Sequence, residues 1–119
     1  VRFYEDVLGL TAMQGDGERF VAFDAGAGRV LLLFQRGGTL QAQPVPSGGV
    51  IPAHDGHGPH HIAFAIGAGD YDAWCGRLLD RGIAIESEVQ WERGGRSVYF
   101  RDGAQHLVEL VTPGIWPNY

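Results

Sequence analysis

Two side chains with metal-binding chemistry lie in apolar strand-like segments of this 119-residue chain. His61 opens the run HIAF, and Glu109 lies in the middle of HLVELV, residues 106–111. A carboxylate within an apolar strand is costly to bury unless it binds a cation or keeps contact with water. Glu109 therefore has two interpretations: a solvent-facing residue of an antiparallel sheet, which is ordinary, or a metal ligand that points into a cavity.

An internal repeat favours the ligand interpretation. Residues 19–37 align without gaps to residues 96–114, an offset of 77, with seven identities in 19 positions. The identical pairs are Arg19/Arg96, Val21/Val98, Phe23/Phe100, Gly26/Gly103, Ala27/Ala104, Leu33/Leu110 and Gly37/Gly114. At this offset Leu32 is the counterpart of Glu109, so an aliphatic side chain suits the same position. One His and one Glu from different strands are two members of a 2-His-1-carboxylate set, which leaves open positions on Fe(II) or a similar ion.

The elements that must position these residues follow the repeat. Helical spacing predicts one helix over residues 1–10, ended by Gly9, and another over 70–81, with Asp70 as its N-cap. Strands are predicted over 19–24, 30–34, 62–66, 83–91, 96–101 and 106–111. The second copy thus has the order βαβββ, and the first begins at its helix. Self-similarity at one offset indicates two copies of a supersecondary unit.

We therefore predict an α+β fold of two βαβββ modules, over residues 1–37 and 60–114. A linker loop rich in Gly and Pro is predicted over 38–59, and a short tail over 115–119. The counterpart of His61 would precede Val1, so we expect that this chain lacks the first strand of its first module. A natural protein that starts with a helix is the alternative.

Composition narrows the function classes. The net charge of −5 argues against a nucleic-acid partner, because phosphate contacts need clustered Lys and Arg. No apolar run reaches the roughly 18 residues that span a bilayer, so no membrane segment is predicted. The single cysteine, Cys75, excludes an internal disulfide and favours a reducing, cytoplasmic location.

Three segments resemble the signature segments of the vicinal-oxygen-chelate superfamily, which includes glyoxalases, bleomycin-resistance proteins and extradiol dioxygenases. They are FYEDVLGL (3–10), HIAF (61–64) and SVYFRDGAQHLVEL (97–110). The resemblance implies a cupped, mainly antiparallel sheet around a divalent metal ion: Fe2+, Mn2+, Zn2+ or Ni2+. His61 and Glu109 match the two ligand positions of the second module, whereas Leu32 matches a ligand position of the first and cannot ligate. The implied set is His/His/Glu, with its first His in the absent strand.

Four further residues are predicted to contact substrate. By the resemblance, Tyr99 faces the substrate and donates a hydrogen bond or a proton; packing within the sheet is the alternative. Arg96 has the charge to bind an anionic group, although its repeat partner Arg19 favours a structural role. Trp74 and Trp91 offer flat surfaces suited to a small-molecule pocket.

The resemblance implies a metal-dependent enzyme that chelates vicinal oxygens of a small-molecule substrate. The His/His/Glu set favours extradiol-dioxygenase-like chemistry, and a glyoxalase or a fosfomycin-modifying enzyme is the alternative within this class. A different class also stays open: a metal-free, drug-sequestering protein of the same fold. For either class the resemblance implies a homodimer.

Overall fold

A computed structural model of the protein describes residues 2–119. The chain divides into two compact units, one ending at His57 and the other beginning at Gly58. Each unit contains its own main sheet. No helix among the described residues combines the length and the apolarity needed to cross a lipid bilayer.

The N-terminal unit starts with a short helix followed by three antiparallel strands. These are α1 (Arg2–Asp6), β1 (Thr11–Gly15), β2 (Phe20–Asp24) and β3 (Val30–Phe34), in the sheet order β1-β2-β3. Gly9 has a φ of 71°, a left-handed conformation that ends the helical segment as the sequence predicts. The sequence does not predict β1, because all five of its residues are exposed and no alternating apolar pattern marks it.

The segment predicted as a linker loop contains a short hairpin. Its strands are β4 (Gln43–Pro44) and β5 (Val50–Ile51), which pair antiparallel. The Gly-containing turn between them is closed by a hydrogen bond from Val45 N to Gly49 O, 3.0 Å long. Strands of two residues are too short to produce a period in the sequence, so only the tertiary structure reveals them.

The C-terminal unit has the predicted βαβββ order. Its elements are β6 (His61–Ala65), α2 (Tyr71–Asp80), β7 (Ser87–Gln90), β8 (Arg96–Arg101) and β9 (Leu107–Val111), with one 3-10 turn before α2. The sheet order is β6-β9-β8-β7, in which β6 and β9 are parallel and the other pairs are antiparallel. The crossover therefore places the first and last strands of the unit side by side.

Helix α2 and the inner strands form the core of this unit. Leu78 on the helix is fully buried, as are Val98, Phe100 and Val108 on the strands. The Tyr71 hydroxyl at the start of α2 donates to Glu88 Oε1 at 2.8 Å and lies 3.1 Å from Ser97 O. These contacts tie the helix to β7 and β8.

The predicted repeat corresponds to two hairpins, β2–β3 and β8–β9, whose strands pair in the same register. Shifting β3 by the 77-residue offset gives residues 107–111, which are the bounds of β9. Shifting β2 gives residues 97–101, which lie within β8. The mixed α+β fold and its mainly antiparallel pairing are as predicted.

Candidate metal centre

His61 and Glu109 come together because β6 and β9 are neighbours in the sheet. His61 is opposite Leu107, and Glu109 is opposite Ala63, so the two side chains lie two positions apart on one face. His61 Nε2 is 3.0 Å from Glu109 Oε1. The Glu109 side chain is 10% exposed and that of His61 is 47% exposed, so the pair lies at a surface that small molecules can reach.

The second imidazole nitrogen determines what the first can do. His61 Nδ1 is 3.1 Å from Leu107 O, and a carbonyl oxygen can only accept a hydrogen bond. Nδ1 must therefore carry the hydrogen, which leaves Nε2 of a neutral imidazole as a lone-pair donor facing the carboxylate. Two acceptors 3.0 Å apart require a cation between them, either a proton or a metal ion.

The other oxygen of Glu109 is held by a short chain of hydrogen bonds. Ser97, which is fully buried, donates its hydroxyl hydrogen to Glu109 Oε2 at 2.6 Å. Trp91 Nε1 donates to Ser97 Oγ at 2.9 Å. A buried carboxylate needs such partners to offset its loss of hydration. Ser97 is not among the site residues predicted from the sequence, although a signal for it is present: it is a hydroxyl residue two positions before Tyr99, hence on the same face of β8.

Tyr99 stands next to the pair. It is opposite Glu109 in the antiparallel β8–β9 ladder, and its ring centroid is 6.1 Å from that of His61. Burial, together with the negative charge of Glu109, raises the pKa of the Tyr99 hydroxyl above its ordinary value. The hydroxyl thus keeps its hydrogen at neutral pH and can donate it in a hydrogen bond.

The donor set suits a divalent ion. Zn2+ takes imidazole nitrogen and carboxylate oxygen at about 2.1 Å, so two such atoms around one ion are about 3.0–3.4 Å apart. The 3.0 Å between His61 Nε2 and Glu109 Oε1 lies in that range, which overlaps the range of a hydrogen bond. The described residues contain no group of three or more His, Cys, Asp or Glu side chains placed to hold one ion. Within the described residues His61 and Glu109 thus offer two metal-binding atoms and no third.

Two of the predicted substrate residues are not brought to this pair. The Arg96 guanidinium lies over the Tyr71 ring at 4.0 Å and is 3.4 Å from Asp72 Oδ1, which places it on the helix side of β8. Trp74 lies on α2, where the Arg77 guanidinium is 5.9 Å from its ring. The alternation of side chains along β8 separates Arg96 from Tyr99, so the structural interpretation suits Arg96 better.

The N-terminal unit contains a separate cavity of about 210 Å3. Its lining is mostly apolar and comes from β2, β3 and the hairpin: Phe20, Leu32, Phe34, Ile51 and Pro52. The His54 ring meets that of Phe34 edge-on, with centroids 4.6 Å apart. Leu32 therefore lines an apolar space, whereas Glu109, its repeat counterpart, accepts hydrogen bonds in a polar cluster.

Comparison with known proteins places these observations in a family. Residues 1–110 match the family described as the Glyoxalase/Bleomycin resistance protein/Dioxygenase superfamily. The solved structure of lactoylglutathione lyase from Agrobacterium tumefaciens superimposes with a TM-score of 0.84 at 31% identity, covering 97% of this chain and 84% of that one.

Two curated bacterial proteins match a shorter part of the chain. Metallothiol transferase FosB of Shouchella clausii (strain KSM-K16) is 44% identical over 54 residues, which are 44% of this chain and 37% of that protein. Fosfomycin resistance protein FosX of Listeria innocua is 44% identical over 52 residues, 43% of this chain and 39% of that protein. The matched region thus spans less than two fifths of the length of either relative.

Proposed function

Because this chain belongs to the Glyoxalase/Bleomycin resistance protein/Dioxygenase superfamily, we propose that it is a metal-dependent enzyme acting on a small molecule. His61 and Glu109 are two of its metal ligands. The remaining positions on the ion are filled by water, by substrate oxygens or by donors outside the described residues. The ion is divalent, and Fe2+, Mn2+, Zn2+ and Ni2+ all accept this combination of imidazole and carboxylate.

One observation supports the proposal: His61 Nε2 lies 3.0 Å from Glu109 Oε1 while Nδ1 lies 3.1 Å from Leu107 O and donates to it. A backbone carbonyl that accepts from the far nitrogen is the usual way in which a metal-binding histidine is oriented. With Nδ1 bonded in this way, a metal ion can replace the proton that otherwise lies between Nε2 and Oε1.

The protein's own residues prepare the site for a substrate oxygen. When bound, the ion supplies Lewis-acid polarisation of that oxygen. Tyr99 is close enough to His61 to contact the same substrate, and its raised pKa makes it a hydrogen-bond donor to developing negative charge more than a proton donor. Trp91 and Ser97 keep Glu109 in place.

The relatives favour some reactions over others. They are a metallothiol transferase, a fosfomycin resistance protein and a lactoylglutathione lyase, which suggests addition, transfer or isomerisation on an oxygen-bearing substrate. Ring cleavage of the extradiol-dioxygenase type, which the predicted His/His/Glu set favours, gains no support from them. We therefore propose a transferase- or lyase-like reaction.

Elemental analysis tests the proposal. The full protein, purified without chelator and without oxygen, is expected to hold near-stoichiometric Fe, Mn, Ni or Zn. Glu109→Ala should lose most of the metal, whereas Glu92→Ala, which removes an exposed carboxylate from the same unit, should retain it. If the wild-type protein stays metal-free after reconstitution with each ion, the enzyme proposal is wrong.

That outcome would favour a metal-free binding protein of the same fold. The cavity in the N-terminal unit supports this second candidate, since its apolar lining suits the hydrophobic part of a ligand. Its volume of about 210 Å3 is below the roughly 300–1,000 Å3 of drug-sized sites, so a ligand of about one ring would fit.

A homodimer and a cytoplasmic location complete the proposal. The dimer rests on family resemblance and on the apolar surface of β3, on which Val30, Leu32 and Phe34 are about half-exposed. The location rests on the single cysteine, which suits a reducing compartment.

A further inference from the structure

We propose that Ser97, with its hydroxyl oriented by Trp91, holds one oxygen of Glu109 so that this ligand offers a single oxygen, Oε1, to the metal ion. The inference rests on the proposed function, because it concerns how a metal would be bound. It makes Ser97 and Trp91 positioning residues that act through Glu109. Trp91, which the sequence predicts to contact substrate, is thereby proposed to act instead through its indole N–H, which orients the Ser97 hydroxyl.

The direction of the hydrogen bonds follows from the chemistry of the three groups. The indole N–H of Trp91 can only donate, and it donates to Ser97 Oγ at 2.9 Å. An ionised carboxylate can only accept, and Glu109 Oε2 lies 2.6 Å from the same hydroxyl. The single hydroxyl hydrogen of Ser97 must therefore point at Glu109. A charge-assisted O–H···O bond of this length is among the stronger hydrogen bonds in proteins.

Because Ser97 and Glu109 are buried, water cannot easily take over the hydrogen bond between them. Ser97 has no exposed surface, and the Glu109 side chain is 10% exposed. Without the hydroxyl, Oε2 would lose its hydrogen bond to Ser97 while it stayed nearly buried, which is costly. The carboxylate would then be free to turn and use both oxygens on the ion. With the hydroxyl in place, Oε2 is occupied and Oε1 faces His61.

The backbone supports the positions of both residues. Ser97 is opposite Val111 in the β8–β9 ladder, one diagonal step from Glu109, so regular strands fix their separation. Trp91 begins the tight connection between β7 and β8, which is closed by hydrogen bonds from Trp91 N to Gly95 O and from Gly94 N to Trp91 O. The indole therefore does not depend on a long loop for its placement.

The test compares four variants of the full protein with Zn2+ and Mn2+ as probes. Ser97→Ala removes the hydroxyl, Ser97→Thr keeps it, and Trp91→Phe removes only the indole N–H. Thr112→Val is the control, because it removes another buried hydroxyl, one that directly follows β9 and bonds the Arg96 backbone instead. Affinity is measured by competition with a chelator. Thermal unfolding of the metal-free proteins checks that each variant is folded.

Ser97→Ala is expected to weaken metal binding about 10- to 100-fold, the usual effect of losing a partner of a ligand. Trp91→Phe should weaken it less, and Ser97→Thr and Thr112→Val should match the wild type. A second readout is the infrared difference between metal-loaded and metal-free protein, with Glu109→Gln to assign the bands. The difference in wavenumber between the asymmetric and symmetric carboxylate stretching bands of Glu109 should decrease in Ser97→Ala. Such a decrease is expected when a carboxylate binds a metal ion through both oxygens.

The outcomes separate this inference from the proposed function. If the wild type binds metal and Ser97→Ala binds it equally well with an unchanged infrared signature, the inference is wrong and the metal centre stands. If the wild type binds neither Zn2+ nor Mn2+, the comparison is repeated with Fe2+ and Ni2+; if it binds none of the four ions, the proposed function and this inference are both wrong. The role of Ser97 would be established by a folded Ser97→Ala protein that binds metal more weakly and shows the smaller difference between the two carboxylate bands.

Discussion

At the scale of single residues, the site is organised by which atoms can donate and which can only accept. Three groups have only one possible role in a hydrogen bond: Leu107 O and the Glu109 carboxylate accept, and the indole N–H of Trp91 donates. Because of them, His61 Nδ1 and the Ser97 hydroxyl must donate their hydrogens to Leu107 O and Glu109. His61 Nε2 and Glu109 Oε1 therefore face each other at 3.0 Å, with a proton or a metal ion between them. Such an arrangement is typical of a preorganised metal site.

Tyr99 provides a pH-dependent prediction at this scale. Its raised pKa has burial as its first cause and the charge of Glu109 as its second. Because a raised pKa favours the neutral phenol, metal-free protein should form tyrosinate at Tyr99 only above the ordinary value of 10.0. In Glu109→Gln, which removes the charge and preserves the shape, this pKa should move down towards 10.0 without reaching it, since the burial remains.

An alkaline titration followed by tyrosinate absorbance measures this shift. Tyr99→Phe identifies the contribution of Tyr99 by subtraction, which is needed because burial also raises the pKa of Tyr71. An identical titration curve for wild type and Glu109→Gln would show that the two side chains do not interact.

At the scale of elements, the crossover that makes β6 the parallel neighbour of β9 creates the site. His61 and Glu109 are 48 residues apart in sequence and adjacent in the sheet. The β7–β8 connection then brings Trp91 over Ser97. Close backbone packing supports this connection, because Gly95 N donates to Gly114 O at 3.0 Å.

The two repeat-matched glycines give a prediction for this packing. Gly37 and Gly114 both have a positive φ, 78° and 109°. They differ in crowding: a Cβ added to Gly114 would lie 2.5 Å from Gly95 N, whereas a Cβ added to Gly37 would have no atom within 4 Å. Gly37→Ala should destabilise the protein by about 1 kcal/mol, the strain of a left-handed alanine. Gly114→Ala should cost about 3 kcal/mol, because the backbone must also shift.

Urea unfolding of both variants measures these free energies. Gly114→Ala should also lower metal affinity, since the shift displaces the connection that carries Trp91. Equal destabilisation by the two substitutions would contradict the role given to the Gly95–Gly114 contact.

At the scale of the whole molecule, the two units differ in what lies beside their last strands. In the C-terminal unit β9 has β6 as an outer neighbour, whereas within residues 2–119 the outer edge of β3 pairs with no strand. Val30, Leu32 and Phe34 on β3 are 56%, 47% and 45% exposed. Exposed apolar side chains grouped on one strand are typical of an interaction surface.

We therefore expect light scattering to give twice the 12.9-kDa mass of the chain. Val30→Glu should reduce the dimer fraction by placing a charge on β3. Leu79→Glu is the matched control: Leu79 is an apolar residue on α2 with a similar exposure, 62%, and its substitution should leave the mass unchanged. A monomeric wild type would contradict the dimer, and a dimer unaffected by Val30→Glu would exclude the β3 face as its interface.

Local patterns in the sequence determined much of the fold. The 77-residue repeat predicts both hairpins, because apolar alternation and turn glycines act over a few residues. Helix α2 is predicted within one residue at each end for the same reason. Glu109 also stands out in the sequence, since a carboxylate in an apolar strand needs a local explanation.

The tertiary structure alone decided which groups meet. Sheet order, which no local period encodes, sets Glu109 beside His61 and gives each of its oxygens a different partner. Ser97 becomes a site residue, and Arg96 is turned to the helix side, because neighbouring residues of a strand face opposite ways and only packing selects the side that carries the site. The hairpin at 43–51 and the exposed strand β1 likewise depend on partners distant in sequence, so composition does not reveal them.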